Sequence, residues 1–323
     1  MAKRALEDKV AELETLSSQS PEIALPALRT ALKHANNYLV AKASKLVCKL
    51  GLKDLIPDLA TSFDRFLIEA ETRDPQCWAK NALSSTLAEF EYQDAALFLR
   101  GLRHIQMEPV WGGRSDTAGT LRSNCAHALV GCRELRETEL LALLIELFQD
   151  KDKAVRAEIA RAIAQIGSDA ASLLLRLRAT LGNDEPEVLA NCFSGVLAIE
   201  GIAGIAWIEQ FLKKEDEAAG EAALALGQTR SVEALRALRK VFAEHTDHWF
   251  GSVLLAAIAL TRRDEAFDFL LELVREESRF AADAIPTVWN AVPAPEVKER
   301  LEAAVHETGN ERLLRIFQAA RGT

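Results

Sequence analysis

Apolar residues recur along the chain at the 3.6-residue spacing of short helices. Leu6, Val10, Leu13 and Leu16 mark one face of a first helix over 2–16. Ser17-Ser18-Gln19-Ser20-Pro21 stops it and opens a second, reaching His34, with the proline at a first-turn position. Helices then come in pairs: 37–50 with 54–70, 74–90 with 94–104, 117–130 with 137–149, and 152–166 with 169–181. The series goes on with 186–200 and 203–213, 215–226 and 232–244, 247–260 and 264–277, then 279–290 and 295–306. A last helix over 311–320 closes it. Gly51, Gly131, Gly167, Gly201 and Gly227 stand where first helices stop, a place for left-handed backbone. None of these helices is large enough to bury its own apolar face, so the pairs must stack into a shared core.

No Pro/Gly/Ser-rich linker interrupts the series. Residues 1–323 are therefore expected to form a single solenoid. Helices 2–34 form an N-terminal cap pair, 37–306 carry the repeats, and 311–320 form a C-terminal cap. Hydrophobic residues are 49% of the chain but aromatic ones only 6%. With Ala and Leu prevailing, this favours close-packed helices and no sheet, for which β-branched and aromatic residues would be needed.

Gly131, Gly167, Gly201 and Gly227 lie 36, 34 and 26 residues apart, a drifting period. The tetratricopeptide and ankyrin patterns are absent. Residues 150–170 read Asp-Lys-Asp-Lys-Ala-Val-Arg-Ala-Glu-Ile-Ala-Arg-Ala-Ile-Ala-Gln-Ile-Gly-Ser-Asp-Ala, and Asp184-Glu-Pro-Glu-Val188 repeats the opening. This stretch resembles a HEAT-like repeat of the bilin-lyase type. That class has Asp near the turn, Val-Arg starting the first helix, small Ala positions, and Ile-Gly or Leu-Gly at its end. The resemblance covers roughly residues 37–306. It implies an all-α, right-handed α-α superhelix, a HEAT-like solenoid of about eight helix pairs with terminal caps, whose second helices line the concave side. It does not fix a function, because such repeats serve scaffolds, lyases, nucleic-acid binders and regulators alike.

Charge narrows the partners. The net charge of −9 lies wholly in residues 131–323, with 23 Lys and Arg against 32 Asp and Glu; residues 1–130 hold 16 of each sign. An acidic C-terminal half does not suit a phosphate backbone. Cys48, Cys77, Cys125, Cys132 and Cys192 are odd in number and include no CxxC, which argues for a reducing compartment rather than a disulfide framework. The first residues lack the apolar segment of a signal peptide. The sequence pattern predicts no run of the roughly 18 apolar residues that a membrane span needs. The expectation is a soluble, cytoplasmic protein without a membrane partner.

The segment that breaks the repeat is Ile105-Gln-Met-Glu-Pro-Val-Trp-Gly-Gly-Arg-Ser-Asp116. Pro109 and Gly112-Gly113 forbid a regular helix, so it reads as a loop insertion. Trp111 either packs on a neighbouring turn or forms an aromatic platform beside Arg114. Arg100, Arg103 and His104 share the face of the preceding helix, with Arg122 on the next. Together these six side chains form a candidate partner-binding patch, unless they are a solvated face paired with carboxylates. Other second helices mix signs: Glu139, Glu146, Arg176, Glu209, Gln210, Lys213, Arg236 and Lys240. That mixture suits protein recognition better than nucleic acid.

Metal and catalytic sites find little footing. Cys125 and Cys132 share a helical face, but His127 lies about 200° from Cys125, so the three do not gather on one metal. In Glu-His-Thr-Asp-His-Trp, with His245 and His248, Asp247 reads as a helix N-cap. There is no phosphate loop, HExxH or GxSxG. Trp78 with Asp74, or Trp111 with Asp116, are the only pairs that resemble the Trp and Asp of HEAT-like alkylated-base glycosylases. The leading expectation is a non-enzymatic scaffold, without cofactor, metal or catalytic residues, binding another protein or peptide through its concave face and the 105–116 loop. The alternatives are a nucleic-acid or alkylated-DNA protein and a bilin-lyase-like cofactor maturation factor.

Overall fold

The computed structural model describes residues 2–291 and 294–322. They divide into two compact units, residues 1–166 and 167–323. The boundary falls between the helices read from sequence over 152–166 and 169–181.

The first unit contains α1 (Ala2–Leu16), α2 (Pro21–Leu32), α3 (Asn37–Lys49), α4 (Ile56–Leu67), a single turn α5 (Ala70–Arg73), α6 (Trp78–Glu89) and α7 (Ala95–Leu102). A β-hairpin follows, β1 (Met107–Val110) and β2 (Gly113–Asp116), then α8 (Gly119–Val130), α9 (Glu137–Glu146) and α10 (Lys153–Ile166). The helix starts follow side-chain chemistry: Asn36 and Asp94 accept the orphan N–H groups of Leu39 and Leu97 at 2.9 and 3.0 Å. First helices pack side by side in one layer, α3 on α6, α6 on α8 and α8 on α10. Small residues let them approach. Ser44 donates to the Ala82 carbonyl at 3.1 Å and to Thr86 Oγ1 at 2.9 Å. Phe63, Phe66, Leu83 and Phe98, each 1% exposed or less, fill the space between this layer and the second helices.

The second unit contains α11 (Asp169–Leu181), α12 (Pro186–Glu200), α13 (Ile205–Ile208), α14 (Glu217–Gln228), α15 (Val232–Glu244), α16 (His248–Leu260), α17 (Asp264–Arg275), α18 (Ala281–Ala291), α19 (Pro295–Thr308) and α20 (Glu311–Arg321). Here α12, α14, α16, α18 and α20 stack in turn. Asp247 caps α16 as expected, accepting the Phe250 N–H at 2.8 Å.

Four expectations are corrected. First, 105–116 is an antiparallel hairpin and not an irregular loop, so the fold is not free of strand. Met107 pairs with Asp116 and Val110 with Gly113, and Gly112, at φ +88°, supplies the turn. Second, the helix expected over 203–213 is a 3-10 turn, the four-residue α13, and another 3-10 turn. Gly201 and Gly204 weaken it, and Phe193, Trp207 and Phe211 wrap into an aromatic cluster with centroids 4.8–6.1 Å apart. Third, Gly227 lies inside α14 rather than ending a helix. A Cβ there would sit 2.3 Å from the Ala257 carbonyl oxygen, so glycine permits the close approach of α16. Gly131 also stays right-handed at φ −81°, whereas Gly51, Gly167 and Gly201 do turn left-handed. Fourth, the segment Pro186–Ile208, with mean hydropathy 1.7 over its best window, is long and apolar enough to cross a membrane by composition. Half of that window is buried within the fold, and Gly201, at φ +59°, breaks the α-helix inside the segment.

Candidate functional site

The hairpin is moored at its base by buried polar side chains. α6 begins late, because Asp74 reaches over the 3-10 turn Pro75–Cys77 and accepts the N–H groups of Ala79 at 2.8 Å and Lys80 at 3.0 Å. Gln76 and Cys77 take left-handed φ of +59° and +54° to make that turn, a conformation with a cost for non-glycine residues. Asp74 and Lys80 are both fully buried, and their charges meet at 3.1 Å. Lys80 Nζ also donates to the Phe66 carbonyl at 3.2 Å and to Gln106 Oε1 at 2.9 Å. A buried ammonium with three acceptors is compensated, where a bare one would not be.

Gln106 joins the hairpin to the helices. Its Oε1 also accepts from Cys77 Sγ at 3.3 Å and lies 3.1 Å from His104 Nε2. Its amide donates to the Asp74 carbonyl at 2.9 Å and to Glu108. Glu108 points inward from β1, 8% exposed, and accepts the Gln76 N–H at 2.7 Å and the Thr117 hydroxyl at 2.9 Å. Burial works to raise its pKa, but the donors of Gln106, Gln76 and Thr117, with the Lys80 charge, hold it below the usual carboxylate range. Burial holds His104 below the ordinary imidazole value and pushes the Cys77 thiol up to about 11.

The far strand is fixed by Arg122. Its Nη1 donates to Asp116 at 2.7 Å and to the His104 carbonyl at 3.0 Å, and its Nε to Asp150 at 2.7 Å. Asp116 accepts the N–H groups of Gln106 and Ala118, each at 3.0 Å. Arg114 Nη2 bonds Glu71 at 2.8 Å and the Met107 carbonyl, strapping the outer hairpin to α5.

What this base presents is apolar. Trp111, at the tip, is 104% exposed. Val110, Met107 and Ile105 are exposed with it. A cavity of about 580 Å³ lies beside the base, lined by Glu69–Thr72, Ile105 and Gln106.

The six residues named from sequence separate by role. Trp111 and Arg114 are on the hairpin and open to solvent. Arg100 is exposed but paired with Asp64 at 2.6 Å. Arg103 is exposed at the end of α7 and carries no ion pair among the described residues. His104 is half-buried in the mooring. Arg122 is 5% exposed between two carboxylates, so it orders the base and offers no charge to a partner. A second recess of the first unit, about 540 Å³, lies on first helices, not on the second helices the sequence favoured. Tyr38 and Trp78 line it, 5.6 Å apart, with Lys42 and Lys45.

Residues 113–193, from β2 into α12, match the family model of HEAT repeats. This is a HEAT-like repeat protein. The match spans about a quarter of the chain and is to HEAT repeats in general, without bilin-lyase specificity. No curated protein matches the chain. In this HEAT-like protein the aspartates of both tryptophan–aspartate pairs are engaged by other groups. Asp74 is sealed under α6, and Asp116 is consumed by two N–H groups and Arg122. No group of three His, Cys, Asp or Glu among the described residues is placed to hold a metal. Lys80, Gln106 and Glu108 were not singled out from sequence. Only the alternation Gln106, Glu108 ahead of Val110 hinted at a strand with a polar inner face.

Proposed function

We propose that this HEAT-like repeat protein is a non-enzymatic scaffold that binds another protein or peptide, with the 105–116 hairpin as its anchor. One observation carries the reading: a fully exposed indole stands on a hairpin whose base is locked by buried, fully bonded charges. An anchor held in place before binding loses little freedom on docking, and tryptophan offers large contact area at small entropic cost. Nucleic acid is disfavoured because Arg100, Arg114 and Arg122 already face carboxylates. A cytoplasmic setting belongs to the same reading, supported by five unbridged cysteines.

The test is a photo-crosslinking residue at position 111 in the full chain, irradiated in lysate of the source organism. The reading expects a discrete protein adduct that an exposed control position, such as Glu296, does not give. An adduct with nucleic acid, or the same adducts from both positions, overturns it.

A further inference from the structure

The second unit is acidic, with 17 Lys and Arg against 25 Asp and Glu, a net charge of −8. Against that background α15 turns three cations outward at i, i+3 and i+4: Arg236, Arg239 and Lys240. Such residues share one helical face. Glu233 and Glu244 lie three and four residues from Arg236 and Lys240 on the same helix. Even so, none of the three cations has an ion pair among the described residues. Elsewhere in the unit, Arg176, Arg178, Arg275 and Arg300 are each matched to a carboxylate.

These cations rim a recess of about 530 Å³ between α15 and α17. Its floor is apolar: Val232, Leu235, Phe242 and Phe269. Arg239 is laid over the Phe269 ring at 4.6 Å, and Phe242 meets Phe269 edge-on at 5.5 Å, so cation and floor are held together. Glu265, the carboxylate on the rim among the described residues, is drawn toward Arg263 at 3.5 Å.

We infer that this recess docks an acidic peptide segment, its carboxylates on Arg236, Arg239 and Lys240 and an apolar side chain against Phe269. Charge complementarity sets the sign of the partner. The floor sets its class, because a peptide places an apolar side chain beside its carboxylates and a bare polyanion does not. The net −8 of the surrounding unit also repels a long polyanion, while a short acidic segment spans only the cationic face.

The test is fluorescence anisotropy on the full chain at low salt. The labelled probe is a short peptide repeating Glu-Glu-Leu. One comparison probe has serine for each leucine, and the other is single-stranded oligothymidylate of equal charge. The Glu-Glu-Leu peptide is expected to bind, about tenfold more weakly to R236E/K240E, and no differently to Trp111→Ala. R236E/K240E leaves the Arg239–Phe269 stack in place and keeps the fold, which circular dichroism checks. The serine peptide is expected to bind several-fold more weakly. Absence of binding, binding indifferent to R236E/K240E, or equal binding of the serine peptide would overturn the inference. Tighter binding of oligothymidylate would make this a polyanion site and overturn it equally.

Discussion

Lys80→Met removes the buried ammonium while keeping the length and most of the volume of the side chain, so the change is electrostatic and leaves no cavity. The wild-type ammonium serves Asp74, Gln106 and the Phe66 carbonyl. In the variant Asp74 keeps three donors: Asn37 Nδ2 at 3.0 Å and the N–H groups of residues 79 and 80. It loses its counter-charge, and the Phe66 carbonyl loses its side-chain donor. Breaking a buried pair from one side costs about 3–5 kcal/mol, and an orphaned buried acceptor about 1–3 kcal/mol. The surviving donors place the expected loss near the lower bound, about 3 kcal/mol. Urea unfolding followed by circular dichroism measures it. The double variant Asp74→Asn/Lys80→Met should fall short of the sum of the single changes by about 1–3 kcal/mol, because neither charge is then left alone. Hydrogen exchange adds a local readout, with the amides of β1 and β2 exchanging faster in Lys80→Met. A loss below about 1 kcal/mol with unchanged hairpin protection would refute the idea that this pair locks the hairpin.

Gly227→Ala should destabilise by about 1–3 kcal/mol in the same assay, since its Cβ would meet the Ala257 carbonyl at 2.3 Å; a neutral change would mean α14 and α16 are not so close. Thiol titration of the native protein should modify Cys48 first. Burial pushes Cys77 and Cys132 up to about 11, Cys192 up to about 12, and Cys125 higher still, so these four should react only on unfolding. For pH, burial depresses His104, so the unfolded chain takes up its proton first. Its contribution is full above about pH 6.5 and declines as pH falls toward the folded value. His104→Gln should therefore flatten stability against pH just below about 6.5, and an unchanged slope would count against the assignment. Glu108 and Asp116 are also depressed, so their contributions persist above the ordinary carboxylate range and are lost only in stronger acid.

The repeats were legible because periodicity and caps agree. The spans 169–181, 186–200 and 232–244, read from the sequence pattern, are those of α11, α12 and α15, and in the structure Ser168 and Ser231 cap the first and the last. Sequence failed where tertiary packing decides. Gly227 looked like a helix end because a glycine after Leu226 usually is one; it is the next-to-last residue of α14, and the nearby Ala257 carbonyl explains why a glycine stands there. The 105–116 segment was recognised as the departure from the repeat, with Trp111 its notable residue. Its hairpin form was obscured because Glu108 faces inward as a charge, where alternation would call for an apolar residue. Lys80 was invisible for a related reason. In Trp78-Ala-Lys-Asn-Ala it reads as a solvent-facing lysine, and nothing local announces that Asp74 and Gln106 enclose it. Among the arginines, sequence supplied faces but not partners, so Arg122 looked like a surface charge until Asp116 and Asp150 were seen on either side.

The central claim is that a rigid hairpin presents Trp111 to a protein partner. Its most direct measurement is the affinity for the crosslinked partner of wild type and Trp111→Ala, beside their unfolding midpoints. Because the ring is fully exposed, the variant should lose less than about 0.5 kcal/mol of stability, while binding weakens by about 2 kcal/mol or more. A variant destabilised by about 3–5 kcal/mol, whose folded fraction binds as tightly as wild type, would contradict the account and make Trp111 a packing wedge.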